Sequence, residues 1–181
     1  MKKILPEIAC FYDECFKDPH QWLIDCNHRA LIYFRGLKDL ILLDKLIDEA
    51  LSRDHVVILT GLQISRWRLG CGYHLTRTDR VEQALTCVSN LNSIWPLTAS
   101  CSSLDEWISK KTWPADAWFV SPVLRTSTHP EFNPLGWDAF SLMAKTIQSP
   151  VFALGGMRSF DLDLCKSYGG YGIAGISNIR K

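Results

Sequence analysis

The sequence has no long apolar run and no excess of charge of either sign. None of its stretches approaches the ~20 apolar residues that a membrane-spanning helix needs, and Pro6, Glu7 and Asp13 interrupt the apolar segment that a signal peptide would require. Twenty basic residues are balanced by nineteen acidic ones, which leaves a formal net charge of +1. This balance argues against nucleic-acid binding, and we expect a cytoplasmic protein without a membrane or nucleic-acid partner.

The seven cysteines include no Cys-x-x-Cys pair, so neither a zinc ribbon nor a redox motif is indicated. Cys10, Cys15, His20, Cys26 and His28 lie close together in the sequence, but their spacing is irregular. Structural zinc sites usually place paired ligands two to four residues apart. We therefore expect reduced and mostly buried thiols.

Short apolar runs alternate with amphipathic stretches along the chain. Continuously apolar runs of this length are typical of parallel strands that are covered by helices. The predicted strands are Ile8–Tyr12, Leu31–Arg35, Val56–Thr60, Tyr73–Thr76, Trp95–Ala99, Trp118–Ser121, Val151–Leu154 and Gly172–Ile176. Helices are predicted within Pro19–His28, Leu37–Leu51, Ile64–Leu69, Thr78–Ser89, Trp137–Ile147 and Ser159–Tyr168, and another begins at Ser103 with a capping-box partner at Glu106.

Eight strands that alternate with helices predict an α/β fold, a (β/α)8 TIM barrel, as a single domain over residues 1–181. A doubly wound open sheet is the alternative, but its Gly-rich first turn is missing. Only Asn178–Lys181 follow the eighth strand, so the terminal helix is expected to be absent. One flank of the barrel would then be bare, which favours a homodimer that covers it.

Glycine pairs occur late in the chain, where a barrel often binds phosphate. Gly155-Gly156 follows the seventh predicted strand, and Ser177-Asn178 follows the eighth. Barrel active sites lie at the carboxyl ends of the strands, and the loops after strands seven and eight commonly hold a phosphate group. Glycine lets the backbone approach an anion closely. The pattern indicates a phosphate site, with glycines that serve only tight turns as the alternative.

Residues 115–179 resemble the C-terminal half of the thiamine-phosphate synthase / TenI family. The similar segments are Ala115-Asp116, Pro122-Val123, Thr126-Ser127-Thr128, Pro134-Leu135-Gly136, Ala153-Leu154-Gly155-Gly156 and Gly172-Ile-Ala-Gly-Ile-Ser177. Gly72-Tyr73-His74-Leu75 resembles another strand of the family, with Asp79 at the expected distance. The resemblance implies binding of a thiazole phosphate, and joining of that compound to a hydroxymethylpyrimidine diphosphate with release of diphosphate.

The resemblance also implies roles for particular residues. The phosphate-binding positions correspond to Thr126, Thr128, Gly155, Gly156, Ile176 and Ser177. The catalytic positions on the diphosphate side correspond to Arg35, Ser100 and His129, and Asp79 matches one of two Mg²⁺-binding aspartates. Mg²⁺ is expected as a cofactor if the synthase reaction is retained.

The sequence departs from the family pattern on the diphosphate side. Tyr33 replaces a Gln, Leu37 a Lys, Leu59 an Asn and Thr60 the second Mg²⁺-binding Asp, while His129 replaces the Lys that ends the Thr-Ser-Thr-Lys loop. These changes predict synthase activity that is weak or lost. The alternatives are a TenI-like thiazole tautomerase, in which Ser102 occupies the position of that branch's His, and a catalytically silent protein that binds a phosphorylated ligand.

Overall fold

Eight parallel strands close into a barrel in the computed structural model, which describes residues 4–13, 16–76, 95–126, 130–176 and 179. Each strand pairs with the next one along the chain, and the eighth pairs with the first. This closure confirms the predicted (β/α)8 barrel and excludes the open sheet. The strands are β1 (Ile8–Tyr12), β2 (Leu31–Phe34), β3 (Val56–Thr60), β4 (Cys71–Leu75), β5 (Leu97–Cys101), β6 (Ala117–Val120), β7 (Val151–Leu154) and β8 (Gly172–Gly175).

Helices connect the strands on the outside of the barrel. The described α-helices are α1 (Pro19–Ile24), α2 (Leu40–Ser52), α3 (Leu104–Lys110), α4 (Gly136–Thr146) and α5 (Leu162–Ser167), and Gly61–Arg66 and Ser159–Asp161 are 3-10 helices. The prediction of an α-helix over Ile64–Leu69 was therefore wrong, whereas the helix predicted over Thr78–Ser89 lies outside the described residues. None of the described helices combines the length and apolar composition of a membrane span.

Side-chain caps and a proline explain where several elements begin. The Asp39 carboxylate accepts hydrogen bonds from the amides of Ile41 and Leu42, at 2.9 and 3.1 Å, so α2 begins at Leu40 and not at Leu37 as predicted. Strand β5 begins two residues later than predicted, after Pro96, which has no N–H to donate to the sheet.

The strands are buried on both faces, which is why their sequences are continuously apolar. Alternate side chains, including Leu31, Ile58 and Phe119, point into the barrel, while their neighbours pack against the helices. The cysteines of the described residues are free and buried, as predicted: Cys10, Cys26, Cys71, Cys101 and Cys165. Cys15 and Cys87 lie outside that part of the chain, as do most of the residues after β8.

Candidate functional site

The outer cavity lies at the carboxyl ends of the strands, where barrel active sites are found. It has a volume of about 520 Å³. Its walls come from the ends of β2, β5, β6 and β7 and from the loops that follow them, and include Arg35, Ser100, Ser102, Ser121, Thr126 and Leu154. Hydroxyl groups and a guanidinium group therefore face a common space.

A second, deeper space of about 330 Å³, the inner cavity, shares Arg35, Ser100 and Leu154 with the outer one. Its other walls are largely aromatic and include Phe11, Tyr33, His74 and Phe119, together with Thr60 and Thr76. The Phe11 and Tyr33 rings are stacked at 4.4 Å between centroids. The two cavities together offer a polar mouth and an aromatic floor, which suits a ligand with a charged group and a flat ring.

The Gly155-Gly156 turn packs directly against the loop that follows β6. Both glycines have positive φ angles, +98° and +71°, which other L-residues rarely adopt. The amide of Leu124 donates a hydrogen bond of 3.1 Å to the carbonyl oxygen of Gly155. A Cβ atom on Gly156 would lie 2.5 Å from the carbonyl oxygen of Arg125. The glycines thus fix the loop that carries Pro122 and Thr126 to the wall of the outer cavity.

The loops after β7 and β8 begin side by side, since Leu154 pairs with Ala174. Ile176, a predicted phosphate-binding residue, directly follows β8 and is half-buried. Ser177 lies outside the described residues, so its place relative to Gly156 stays a prediction. The register nevertheless brings the start of both predicted phosphate loops to the same edge of the barrel.

Arg35 supplies positive charge to both cavities. It directly follows Phe34, the last residue of β2, and its side chain is exposed. Within the described ranges it forms no hydrogen bond or ion pair with another residue. The described lining residues carry no carboxylate, so an anionic ligand would meet Arg35 without competition from an acidic neighbour there.

A hydrogen-bond network on α3 fixes the end of β5. The Glu106 carboxylate accepts hydrogen bonds from the amide and hydroxyl groups of Ser102, both at 2.7 Å, and pairs with Lys110 at 2.6 Å. Lys110 also donates to the carbonyl oxygen of Ser100, at 3.0 Å. The predicted N-cap at Ser103 is confirmed, since its hydroxyl accepts from the Glu106 amide. The Glu106 carboxylate, predicted as the capping-box partner of Ser103, accepts instead from the amide one residue earlier, that of Ser102. The network determines where Ser100 and Ser102 meet the outer cavity.

This network makes part of the stability depend on pH. Burial raises the pKa of Glu106, but the hydrogen bonds from Lys110 and Ser102 outweigh it and lower the pKa from 4.5 to about 2. A carboxylate with a lowered pKa stabilises the fold fully above its unfolded-state pKa and loses that contribution as the pH falls towards 2. At 1.36 kcal/mol per pKa unit, the contribution is about 3 kcal/mol.

We therefore expect Glu106→Gln to flatten the fall in unfolding free energy between pH 5 and pH 2, measured by urea denaturation. Asp105→Asn is the control, because Asp105 is an exposed carboxylate in the same helical turn. The control should keep the slope of the unmodified protein. An unchanged slope in Glu106→Gln would contradict the assignment.

The described residues do not form a Mg²⁺ site. Thr60, which stands where the resemblance places an Asp, directs its hydroxyl to Gln63 at 3.3 Å. Leu59 is fully buried in the apolar layer between barrel and helices. Mg²⁺ requires hard oxygen ligands in octahedral geometry, usually including carboxylates, and in the described ranges no three His, Cys, Asp or Glu side chains are grouped to hold a metal. Asp79, the predicted ligand, lies outside those ranges.

The predicted site residues divide into three groups. Arg35, Ser100 and Thr126 line the outer cavity, and Gly155 and Gly156 support its wall. Ile176 directly follows β8 at the same edge of the barrel. The remaining predicted residues, Asp79, Thr128, His129 and Ser177, lie outside the described residues.

Sequence reasoning gave no site role to Phe11, Thr98 or Phe119. Phe11 and Phe119 line the inner cavity. Thr98 is fully buried, and its hydroxyl lies 2.9 Å from His74 Nδ1. The available signal was strand alternation, which places these side chains on the inward face.

Comparisons with known proteins agree with this geometry. A family model described as thiamine monophosphate synthase matches residues 55–179. The "Putative thiamine-phosphate synthase 2" of Aquifex aeolicus (strain VF5) is 41% identical over 63 residues, which cover 35% of this chain and 34% of the relative. The matched segment thus spans about a third of the relative's length.

Solved structures show the same fold over almost the whole chain. The thiamine phosphate pyrophosphorylase of Pyrococcus furiosus superposes with a TM-score of 0.74 at 16% identity, covering 96% of this chain and 90% of the other. A 3-hexulose-6-phosphate synthase gives a TM-score of 0.66 at 8% identity, with 94% and 90% coverage. The barrel, the cavities at its mouth and the family match over residues 55–179 lead to one conclusion: the chain belongs to the thiamine monophosphate synthase family.

Proposed function

We propose that this protein binds a phosphorylated heterocycle, a thiazole phosphate, across the two cavities, and that its thiamine-phosphate synthase turnover is weak. The main support for this proposal is the outer cavity. It is lined by the guanidinium of Arg35 and by the hydroxyl groups of Ser100, Ser121 and Thr126, and it lies beside the Gly155-Gly156 turn. A phosphate group would be held by charge-assisted hydrogen bonds from the guanidinium and by hydroxyl and main-chain donors. The flat ring would occupy the aromatic inner cavity.

Weak synthase turnover follows from the diphosphate side of the site. Expulsion of diphosphate requires cationic groups and hydrogen-bond donors that are already in position before the reaction. Loss of one such donor typically lowers the rate by a factor of ~10²–10³. Thr60 offers a neutral hydroxyl where the family places a carboxylate, and Leu59 is packed in the core. Arg35 is the cation that remains among the described lining residues. In this proposal Arg35 binds and orients the anion, and Ser100 donates a hydrogen bond to it.

The tautomerase alternative receives less support from the geometry. That reaction moves a proton, and the branch's His is replaced by Ser102. The Ser102 hydroxyl donates to the Glu106 carboxylate at 2.7 Å, and a serine hydroxyl, unlike imidazole, has no pKa near neutral pH that would let it act as a general acid or base. The geometry therefore favours ligand binding with little turnover over the tautomerase reaction.

Thermal unfolding with added thiazole phosphate tests the proposal. A ligand at 100 times its Kd stabilises a protein by about 2.7 kcal/mol, which for this chain length corresponds to roughly 5–11 °C in Tm. Release of diphosphate from hydroxymethylpyrimidine diphosphate, with and without added Mg²⁺, measures turnover on the same samples. No shift in Tm with thiazole phosphate would refute the binding proposal, whereas rapid release of diphosphate would refute only the weak turnover.

Arg35→Gln should weaken thiazole-phosphate binding in isothermal titration by about 10- to 100-fold, because hydrogen bonds to a charged group contribute about 1.5–3 kcal/mol. Arg53→Gln is the matched control. It removes the same charge at the exposed residue that caps the end of α2, near the amino end of β3. Equal affinities of the two variants would place the anion away from Arg35.

A further inference from the structure

Three polar side chains form a continuous chain of hydrogen bonds inside the barrel. The Tyr33 hydroxyl lies 3.0 Å from Thr98 Oγ1, and His74 Nδ1 lies 2.9 Å from the same oxygen. Thr98 is fully buried and Tyr33 is 1% exposed. Tyr33 and His74 also pack edge-to-face with the Phe119 ring. The surroundings of the Tyr33 and Thr98 hydroxyl groups are therefore apolar, so each of these two hydroxyl hydrogens needs an acceptor among the three residues.

The Tyr33 hydroxyl fixes the direction of the hydrogen bonds. Burial raises the pKa of the phenol well above its ordinary value, so the group keeps its hydrogen. Within the described residues Thr98 Oγ1 is its hydrogen-bonding partner. A buried donor without an acceptor costs about 1–3 kcal/mol, so Tyr33 donates to Thr98.

Thr98 then donates to His74. A threonine hydroxyl carries one hydrogen and can accept two. Thr98 Oγ1 accepts the hydrogen bond from Tyr33. Its own hydrogen then goes to its second partner among the described residues, His74 Nδ1. An Nδ1 atom that accepts a hydrogen bond carries no hydrogen, which leaves the hydrogen of a neutral imidazole on Nε2. We propose that Tyr33 and Thr98 are positioning residues that hold His74 in the neutral tautomer protonated on Nε2.

The fixed tautomer bears on what the inner cavity recognises. His74 lines that cavity, and in the proposed tautomer its ring hydrogen lies on Nε2, so a ligand atom beside Nε2 would meet a donor. Among aromatic walls, such a histidine favours a planar ring with an acceptor atom, such as a ring nitrogen, over a ring that presents an N–H there. This consequence rests on the proposed function, because it requires the ligand's ring to enter the inner cavity. The tautomer itself does not depend on ligand binding.

Nitrogen-15 NMR of the imidazole rings in the ligand-free protein at neutral pH measures the tautomer directly. His74→Gln assigns the His74 signals, and His20, which is bonded to Glu49 on the outside of the barrel, serves as an internal reference. We expect His74 Nδ1 to resonate as an unprotonated nitrogen and Nε2 as a protonated one. An Nδ1-protonated ring, a cationic ring or an averaged mixture would overturn the proposal.

Variants separate positioning from folding. Tyr33→Phe removes the donor that sets the direction, so the His74 Nδ1 signal should move towards the protonated position as a second tautomer appears. Thr98→Val should do the same by removing the intermediate hydroxyl, whereas Thr98→Ser keeps that hydroxyl and should keep the original spectrum. Tyr33→Phe with an unchanged tautomer and a folded spectrum would refute the role of Tyr33. Failure of thiazole phosphate to bind leaves this result untouched, so the two proposals can fail separately.

Discussion

Gly172→Ala is expected to lower Tm by roughly 6–12 °C, because overpacking of about 3 kcal/mol shifts Tm by about 2–4 °C per kcal/mol in a chain of this length. Gly172 begins β8, where the barrel closes against β1. A Cβ atom there would lie 2.1 Å from the carbonyl oxygen of Glu7 and 2.7 Å from the Phe152 ring. The Glu7 carbonyl cannot move away freely, because it accepts the 3.0 Å hydrogen bond from the Ile173 amide.

Gly175→Ala is the matched control for this prediction. It adds the same methyl group at the other end of β8, where the nearest atoms among the described residues belong to Ile179 at 3.5 Å, an ordinary van der Waals distance. Its Tm should stay within about 2 °C of the unmodified protein, since substitutions without such a clash usually change stability by about 0.5 kcal/mol or less. Differential scanning calorimetry compares the two. Equal Tm values for Gly172→Ala and Gly175→Ala would show that β1 and β8 do not meet as described.

The barrel could be predicted from the sequence because both faces of every strand are buried. β1, β3 and β7 were predicted with their correct bounds, since continuous apolar runs mark them directly. β4 begins two residues before the prediction, because Gly72 interrupts the apolar pattern. The structure requires that glycine, as a Cβ atom would lie 2.3 Å from the carbonyl oxygen of Pro96.

Apart from the positions that the family resemblance supplied, such as Arg35 and Ser100, the site could be predicted only where it depends on residues that are close in sequence. The Gly155-Gly156 turn was visible as a motif, and its positive φ angles fit the tight-turn alternative. The approach of its backbone to an anion stays a prediction. The inner cavity depends instead on residues from different strands, such as Tyr33 and Thr98, which are 65 positions apart. Neither a motif nor a periodicity connects them, because their contact is created by closure of the barrel. The Lys110 bond to the Ser100 carbonyl oxygen is of the same kind.

Gly156→Ala is expected to weaken thiazole-phosphate binding by at least about tenfold, a change of 1.4 kcal/mol or more. The added methyl group would overlap the backbone carbonyl of Arg125 at 2.5 Å and Leu124 Cβ at 2.9 Å. Relief of that overlap moves the segment that carries Thr126 along the wall of the outer cavity. The variant also carries the cost of a positive φ angle in a residue with a side chain, about 1–2 kcal/mol.

Gly136→Ala separates these two effects. Its φ of +75° is close to the +71° of Gly156, but a Cβ atom at Gly136 would meet no atom of the described residues within 4 Å. In both variants the positive φ angle of the new alanine should lower the free energy of unfolding by a similar amount. Only in Gly156→Ala should overpacking lower it by a further 1–3 kcal/mol, roughly. Urea denaturation measures that difference, and isothermal titration with thiazole phosphate measures the affinity of each folded variant. Because both variants share the cost of the positive φ angle, a tenfold loss of affinity in Gly156→Ala alone would show that binding depends on the contact between this turn and the loop after β6. Unaltered affinity in Gly156→Ala would show that phosphate binding does not depend on that contact.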